Sequence, residues 1–224
     1  MLIFQELTPT VTTGACPPLI YDYYGFPPES YKLQYPASGA PEVGYQVVKL
    51  LRSAGIACNE DDKRGFDHGV FIPLMLSYPD ASVPVVQLSL ASSLDPELHV
   101  RIGEALGPLR KEGVLIYASG MSFHNLPVLL RGPRGSSKID PQSVAFDNFL
   151  TEIATNNDVS YSERRSRLIN WEKGPSARYA HPREEHLIPL MVAFGAAQGE
   201  PGGVFFSGPL YNAQVSSYIF GSNQ

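Results

Sequence analysis

The 224-residue sequence has no histidine before His68, only two cysteines and a single tryptophan. Cys16 and Cys58 form neither a CxxC pair nor a zinc-finger spacing, which argues against a disulfide framework and predicts a reducing compartment. No GxGxxG follows a strand-like run, and neither GxxxxGK[ST] nor GxSxG occurs. Nucleotide-cofactor, phosphoryl-transfer and serine-hydrolase chemistries therefore lack support. Met1-Leu2-Ile3-Phe4 is too short for a signal peptide, and no apolar run approaches a membrane span, so a cytoplasmic protein is expected. The 17 Lys+Arg against 22 Asp+Glu give a net charge of −5 with no basic stripe, and neither nucleic acid nor a membrane is an expected partner. Arg164-Arg165-x-Arg167, following Glu163, reads as a solvated helix face.

What is present suits a folded α/β protein. A hydrophobic content of 43% with 11% aromatics supports one core, and a single domain over residues 1–224 is expected. Val43, Val47, Val48, Leu50 and Leu51 recur at helical spacing up to Ala54-Gly55. A short helix is expected over residues 69–77. Buried strands are expected at residues 84–90 and 114–118, with a helix between them opened by Asp95 as N-cap and closing near Lys111. Residues 132–137 read as a flexible connection. Asp140-Pro141 opens another helix, and Ser160-x-x-Glu163 is a capping box for one reaching toward Trp171. Pro182 at N1 starts a last helix through Ala197, and strands near 203–207 and 215–220 close the chain. This succession predicts a largely parallel or mixed central sheet flanked by helices. The Tyr- and Pro-rich stretch of residues 14–41 reads as an ordered loop whose aromatics either pack or wall a substrate.

Three histidines sit at the edges of apolar runs beside turn-forming residues. His124, in Ser119-Gly120-Met121-Ser122-Phe123-His124-Asn125-Leu126, lies just beyond the C-terminal end of an expected strand, where α/β sheets place ligands. A neutral imidazole there can take a proton from a phenol or enol and return it; the plainer reading is a turn histidine bonding a local carbonyl. His186, beside Glu184 and Glu185, reads as a metal ligand or as an interfacial helix residue. His68, between Asp67 and Gly69, either contacts a substrate oxygen or caps the next helix. His181 is five residues from His186 rather than four, which places it outside a shared ligand face, even on the surface. His99 is expected to face solvent.

Together with Tyr78-Pro79-Asp80 and Val83-Pro84-Val85-Val86-Gln87-Leu88-Ser89, the segments Asp67-His68-Gly69, Ser119–Leu126 and Glu185-His186-x-x-Pro189-Leu190 stand in a telling order. The chain resembles the class III extradiol ring-cleavage dioxygenases, and within them the DOPA 4,5-dioxygenase-like branch. The resemblance implies a mononuclear iron(II) or zinc centre, a catechol-type substrate and O2. It implies His124 as acid/base, His186 as metal ligand, His68 as a second catalytic residue, and Asp67 and Asn125 as substrate contacts. The family's two N-terminal metal-binding histidines have no counterpart in this sequence, which reads as an N-terminally shortened member with weakened metal affinity. His124 and a carboxylate such as Glu6 are then the remaining ligand candidates. The missing central strand predicts dimerisation or poor solubility of the chain. Two other functions follow from the same residues: a metal-free isomerase, cyclase or lyase using His124 for proton transfer, and an inactive ligand-binding remnant.

Overall fold

Asp67 ends a strand and opens a helix with one side chain: its Oδ1 accepts from the Gly69 N–H at 3.0 Å, the N-cap bond that starts the helix His68–Ser77. Such local rules account for most elements of the computed structural model, which describes residues 4–130 and 139–221. The expected connection at 132–137 lies outside the described residues. Two compact units divide the chain, the first ending at Ser93 and the second starting at Leu94.

In the first unit, α1 (Pro41–Ser53) buries Gly44, Val47, Val48 and Leu51 on one face and stops at Gly55, whose φ is +73°. Three parallel strand pairs accompany it. They are β1 (Gln5–Glu6) with β6 (Leu90–Ala91), β2 (Thr10–Thr12) with β4 (Asn59–Asp61), and β3 (Leu19–Ile20) with β5 (Phe66–Asp67). Helix α2 (His68–Ser77) follows β5 directly. Tyr23, Tyr35, Ala37, Phe66 and Phe71 form a core with Tyr21, Tyr31 and Leu33 packed on it, so these aromatics of the Tyr-rich loop pack. Tyr24 and Phe26 remain exposed.

The strand expected over 84–90 is reduced to β6 and two isolated bridges, Gly39 with Val85 and Val11 with Leu88. Side chains supplement the backbone bonds there, in which the Thr12 N–H donates to the Gln87 carbonyl and the Ser89 N–H to the Thr10 carbonyl, each at 2.9 Å. The Thr12 hydroxyl accepts from the Gln87 N–H at 2.8 Å, and the Ser89 hydroxyl accepts from the Thr10 N–H at 2.9 Å.

In the second unit, Asp95 caps α3 (Pro96–Arg110) as expected, accepting from the Glu97 N–H at 3.0 Å. Helix α3 packs against α8 (Ile188–Ala197) at Gly103, where a Cβ would lie 2.1 Å from the Val192 carbonyl oxygen. The remaining helices are α4 (Leu126–Leu129), α5 (Pro141–Thr155), α6 (Tyr161–Ile169) and α7 (Ala177–Ala180). The hairpin β7 (Gly202–Leu210) and β8 (Ala213–Phe220) is antiparallel and packs on α5. Helices with parallel strand pairs and one antiparallel pair give the expected α/β class. The strands associate two by two.

Four expectations are corrected here. Residues 114–118 form no strand; no described strand pairs with them, and Leu115 and Tyr117 stand exposed. The last helix begins at Ile188 with Pro189 in its first turn, because residues 182–187 form turns after the short α7. His99 is buried, its Nδ1–H donating to the Asp95 carbonyl at 2.7 Å. Arg164 is buried too, stacked over Phe194, while Arg165 and Arg167 pair with Glu104 and Glu152. No helix among the described residues is long and apolar enough to cross a membrane.

Candidate functional site

Two segments of the second unit, the irregular residues 120–125 and the stretch 179–187 from the end of α7 onward, are fastened together along their length. The Met121 N–H donates to the His186 carbonyl at 2.9 Å, and the His124 N–H to the Ala180 carbonyl at 3.0 Å. Asn125 Nδ2–H donates to the Tyr179 carbonyl at 2.7 Å. The Ser122 carbonyl accepts from His181 Nε2–H at 3.0 Å, and the Ser122 hydroxyl accepts from the Ser216 N–H at 2.9 Å. Gly120 makes the approach feasible, since a Cβ there would lie 2.3 Å from the His186 carbonyl oxygen.

This fastening brings His124 onto His186. Their rings stack with centroids 3.4 Å apart and planes 20° from parallel. Glu185 completes the group, with Oε1 3.2 Å from His186 Nδ1. One ligand atom from each of His124, Glu185 and His186 lies within 4.8 Å of the others. Burial lowers the pKa of His124, with Glu185 opposing it, so the ring is neutral at pH 7. Arg178 holds the turn from behind, bonding Glu184 at 2.6 Å and Glu172 while its guanidinium lies 4.6 Å over Trp171.

His181 is fully buried rather than at the surface, edge-on to Phe146 and Trp171. Burial pushes its pKa down to about 4, and its Nδ1 has no hydrogen-bond partner. A cavity of about 200 Å3 borders His186, walled by Gly120, Ser122, Pro189, Ser216 and Tyr218 among others. Behind that wall, the Ser216 hydroxyl donates to Asp147 Oδ2 at 2.8 Å, and burial raises the Asp147 pKa.

The other sequence candidates are fully engaged. Asp67 Oδ2 accepts from Arg64 Nη2–H at 3.0 Å and Gln87 Nε2–H at 2.7 Å, in addition to the cap bond at Oδ1. Asn125 Oδ1 accepts from the Val128 N–H at 3.4 Å, capping α4. His68 lies in the first unit, paired with Asp22. The carboxylate beside the two histidines is Glu185, not Glu6, which lies exposed on β1 of the first unit. Its place in the sequence next to His186 was the available signal; expecting a helix there set the two side chains on different faces.

Imidazole nitrogens and a carboxylate oxygen are the donors that hold iron(II) or zinc. Glu185 Oε2 is buried without a hydrogen-bond partner, 3.6 Å from Arg183 Nε. A buried carboxylate oxygen in that state is suited to a cation, and the residues present fit the metal that the resemblance implies.

Residues 3–220 match the family described as the catalytic LigB subunit of aromatic ring-opening dioxygenase. The chain is 37% identical over 232 residues to the dioxygenase tasH of Hapsidospora irregularis, an alignment covering 98% of this chain and 69% of that one. It is 44% identical over 180 residues to the 4,5-DOPA dioxygenase extradiol of Beta vulgaris, covering 80% of this chain and 64% of the relative. The chain thus spans about two-thirds of the length of these relatives. A crystal structure of an uncharacterized Escherichia coli protein superimposes with a TM-score of 0.73 at 29% identity, covering 96% of this chain and 82% of that one. With the histidine cluster, the matching fold and these relatives in agreement, the chain belongs to the LigB family of class III extradiol dioxygenases, in its DOPA dioxygenase-like branch.

Proposed function

We propose that this chain acts in extradiol cleavage of a catechol-type aromatic by O2, with iron(II) or zinc held by His186 and Glu185 and with His124 as the proton acceptor. The observation that carries the reading is the convergence of His124, Glu185 and His186 from a single pair of fastened turns. When bound, the metal supplies a meeting place for the catechol oxygens and O2 and a path for charge between them.

The residues of the chain do the rest. His124 is neutral at pH 7, so it can accept a phenol proton as the substrate binds and return it later. Its backbone N–H on Ala180 and the stack on His186 fix the ring, so that proton is taken at a defined place. Asn125 contributes by holding the turn that carries His124, and Asp67 by capping the helix that begins at His68. His68 acts as a second proton-handling residue through Nε2.

The test is metal content by mass spectrometry after loading with iron(II) or zinc, followed by oxygen consumption with catechols. Near-stoichiometric metal that is lost in His186→Ala but kept in His124→Ala, with turnover lost in both, is expected. Proton-transfer activity that survives a chelator and disappears in His124→Ala would assign the site to metal-free chemistry instead. Binding of a phenol without turnover, unaffected by His124→Ala, would reduce the chain to a ligand-binding protein.

A further inference from the structure

Strands β3 and β5 run parallel with Ile20 opposite Asp67, so the chain leaves both at the same end. Two residues past Ile20 is Asp22, and one past Asp67 is His68. Their side chains meet: His68 Nδ1 lies 2.7 Å from both Asp22 Oδ1 and Oδ2, and the His68 backbone N–H donates to Oδ1 at 3.1 Å. The pair is sheltered, with side-chain exposures of 11% for His68 and 21% for Asp22. Tyr23 stands edge-on to the imidazole at 6.2 Å, and its hydroxyl donates to the Ser30 carbonyl rather than to the pair. Nε2 of His68 has no partner among the described residues.

An ionised carboxylate only accepts hydrogen bonds, so the ring nitrogen facing it carries the proton. We propose that Asp22 is the positioning residue of His68, holding the imidazole protonated at Nδ1 and leaving Nε2 as its single proton acceptor. The inference rests on the reading of His68 as a proton-handling group. Capping does not account for the arrangement, because Asp67 already supplies the N-cap of α2 and the His68 N–H needs only one of the two Asp22 oxygens. The second oxygen is directed at the ring alone.

Asp22→Asn separates the two roles. The Asn carbonyl keeps the bond from the His68 N–H, which turns the amide NH2 toward Nδ1. Nδ1 then has to accept, and the proton moves to Nε2. Long-range proton–nitrogen spectra of the uniformly 15N-labelled chain at alkaline pH read this directly. The native His68 signature is expected to show Nδ1–H with a bare Nε2, and the variant to show the reverse with an unchanged melting temperature. Oxygen consumption with catechol should then lose about 10²-fold or more in kcat while KM stays within about threefold. Asp22→Ala, which removes the carboxylate partner of Nδ1, should give mixed tautomers and an intermediate kcat. An Asp22→Asn spectrum identical to the native one overturns the proposal, as does an inverted tautomer with undiminished kcat. If the unaltered chain consumes no oxygen, the dioxygenase reading fails, and the spectra alone decide whether Asp22 holds His68.

Discussion

His124 and His186 lie face to face, their ring centroids 3.4 Å apart. Two imidazolium rings cannot share that spacing without strong repulsion, so the stack requires at least one neutral ring. Neutral imidazole is also the form that ligates a metal or accepts a proton. His186→Ala should therefore reduce zinc or iron(II) affinity by well over tenfold, and Glu185→Gln by about 10- to 100-fold, in calorimetric titrations. His124→Phe keeps an aromatic ring against His186 and should leave the fold intact while abolishing turnover.

The same region makes stability depend on pH. His181 is held neutral by burial, with its pKa down at about 4 against an ordinary 6.5. Between those values the unfolded chain binds a proton that the folded chain refuses, so stability rises with pH through that window. The contribution is complete above pH 6.5 and is lost as pH falls toward 4; its size is on the order of 3 kcal/mol. His124, shifted in the same direction by burial, adds to the trend. Urea unfolding between pH 4 and 7 should show the native midpoint falling on acidification. His181→Phe, if it folds, should flatten that slope.

Legibility in the sequence followed the range of the interactions concerned. Helices α1, α3 and α5 were readable because their caps, prolines and apolar spacing are written within a few residues. Strand-like runs mislead where pairing decides the outcome. Residues 114–118 are apolar enough for a strand, but a strand needs a neighbour, and periodicity does not report one. The site divides the same way. His124 and His186 are marked by turn residues beside apolar segments and Glu185 by its place next to His186, whereas Asp22 and His181 acquire their roles only from contacts across the fold. For Asp22 the partner lies 46 residues away in sequence.

Gly120 gives a sharper test of the fastening between the two turns. An added methyl would meet the His186 carbonyl oxygen at 2.3 Å and that oxygen also accepts from the Met121 N–H. Neither backbone segment can yield without breaking this bond. Gly120→Ala should cost about 1–3 kcal/mol in chemical unfolding and should weaken metal binding without touching a donor atom. Unchanged affinity would mean that the position of His186 is set by α8 alone.

Asn125 distinguishes a substrate contact from a structural tie. Its Oδ1 caps α4 and its Nδ2–H holds the Tyr179 carbonyl, which commits both ends of the amide within the protein. Asn125→Asp keeps the acceptor but replaces the donor with a second acceptor facing the Tyr179 carbonyl. That substitution should cost about 1–3 kcal/mol of stability, because the Tyr179 carbonyl loses its donor and faces a negatively charged oxygen instead. The loosened turn also carries His124, so kcat for catechol oxygenation should fall while KM holds nearly constant. A substrate-binding asparagine would behave differently: KM would rise, and the melting temperature would scarcely move. Measuring both on the same preparation separates these cases, because a positional role couples the loss in kcat to the loss in stability and a substrate contact does not.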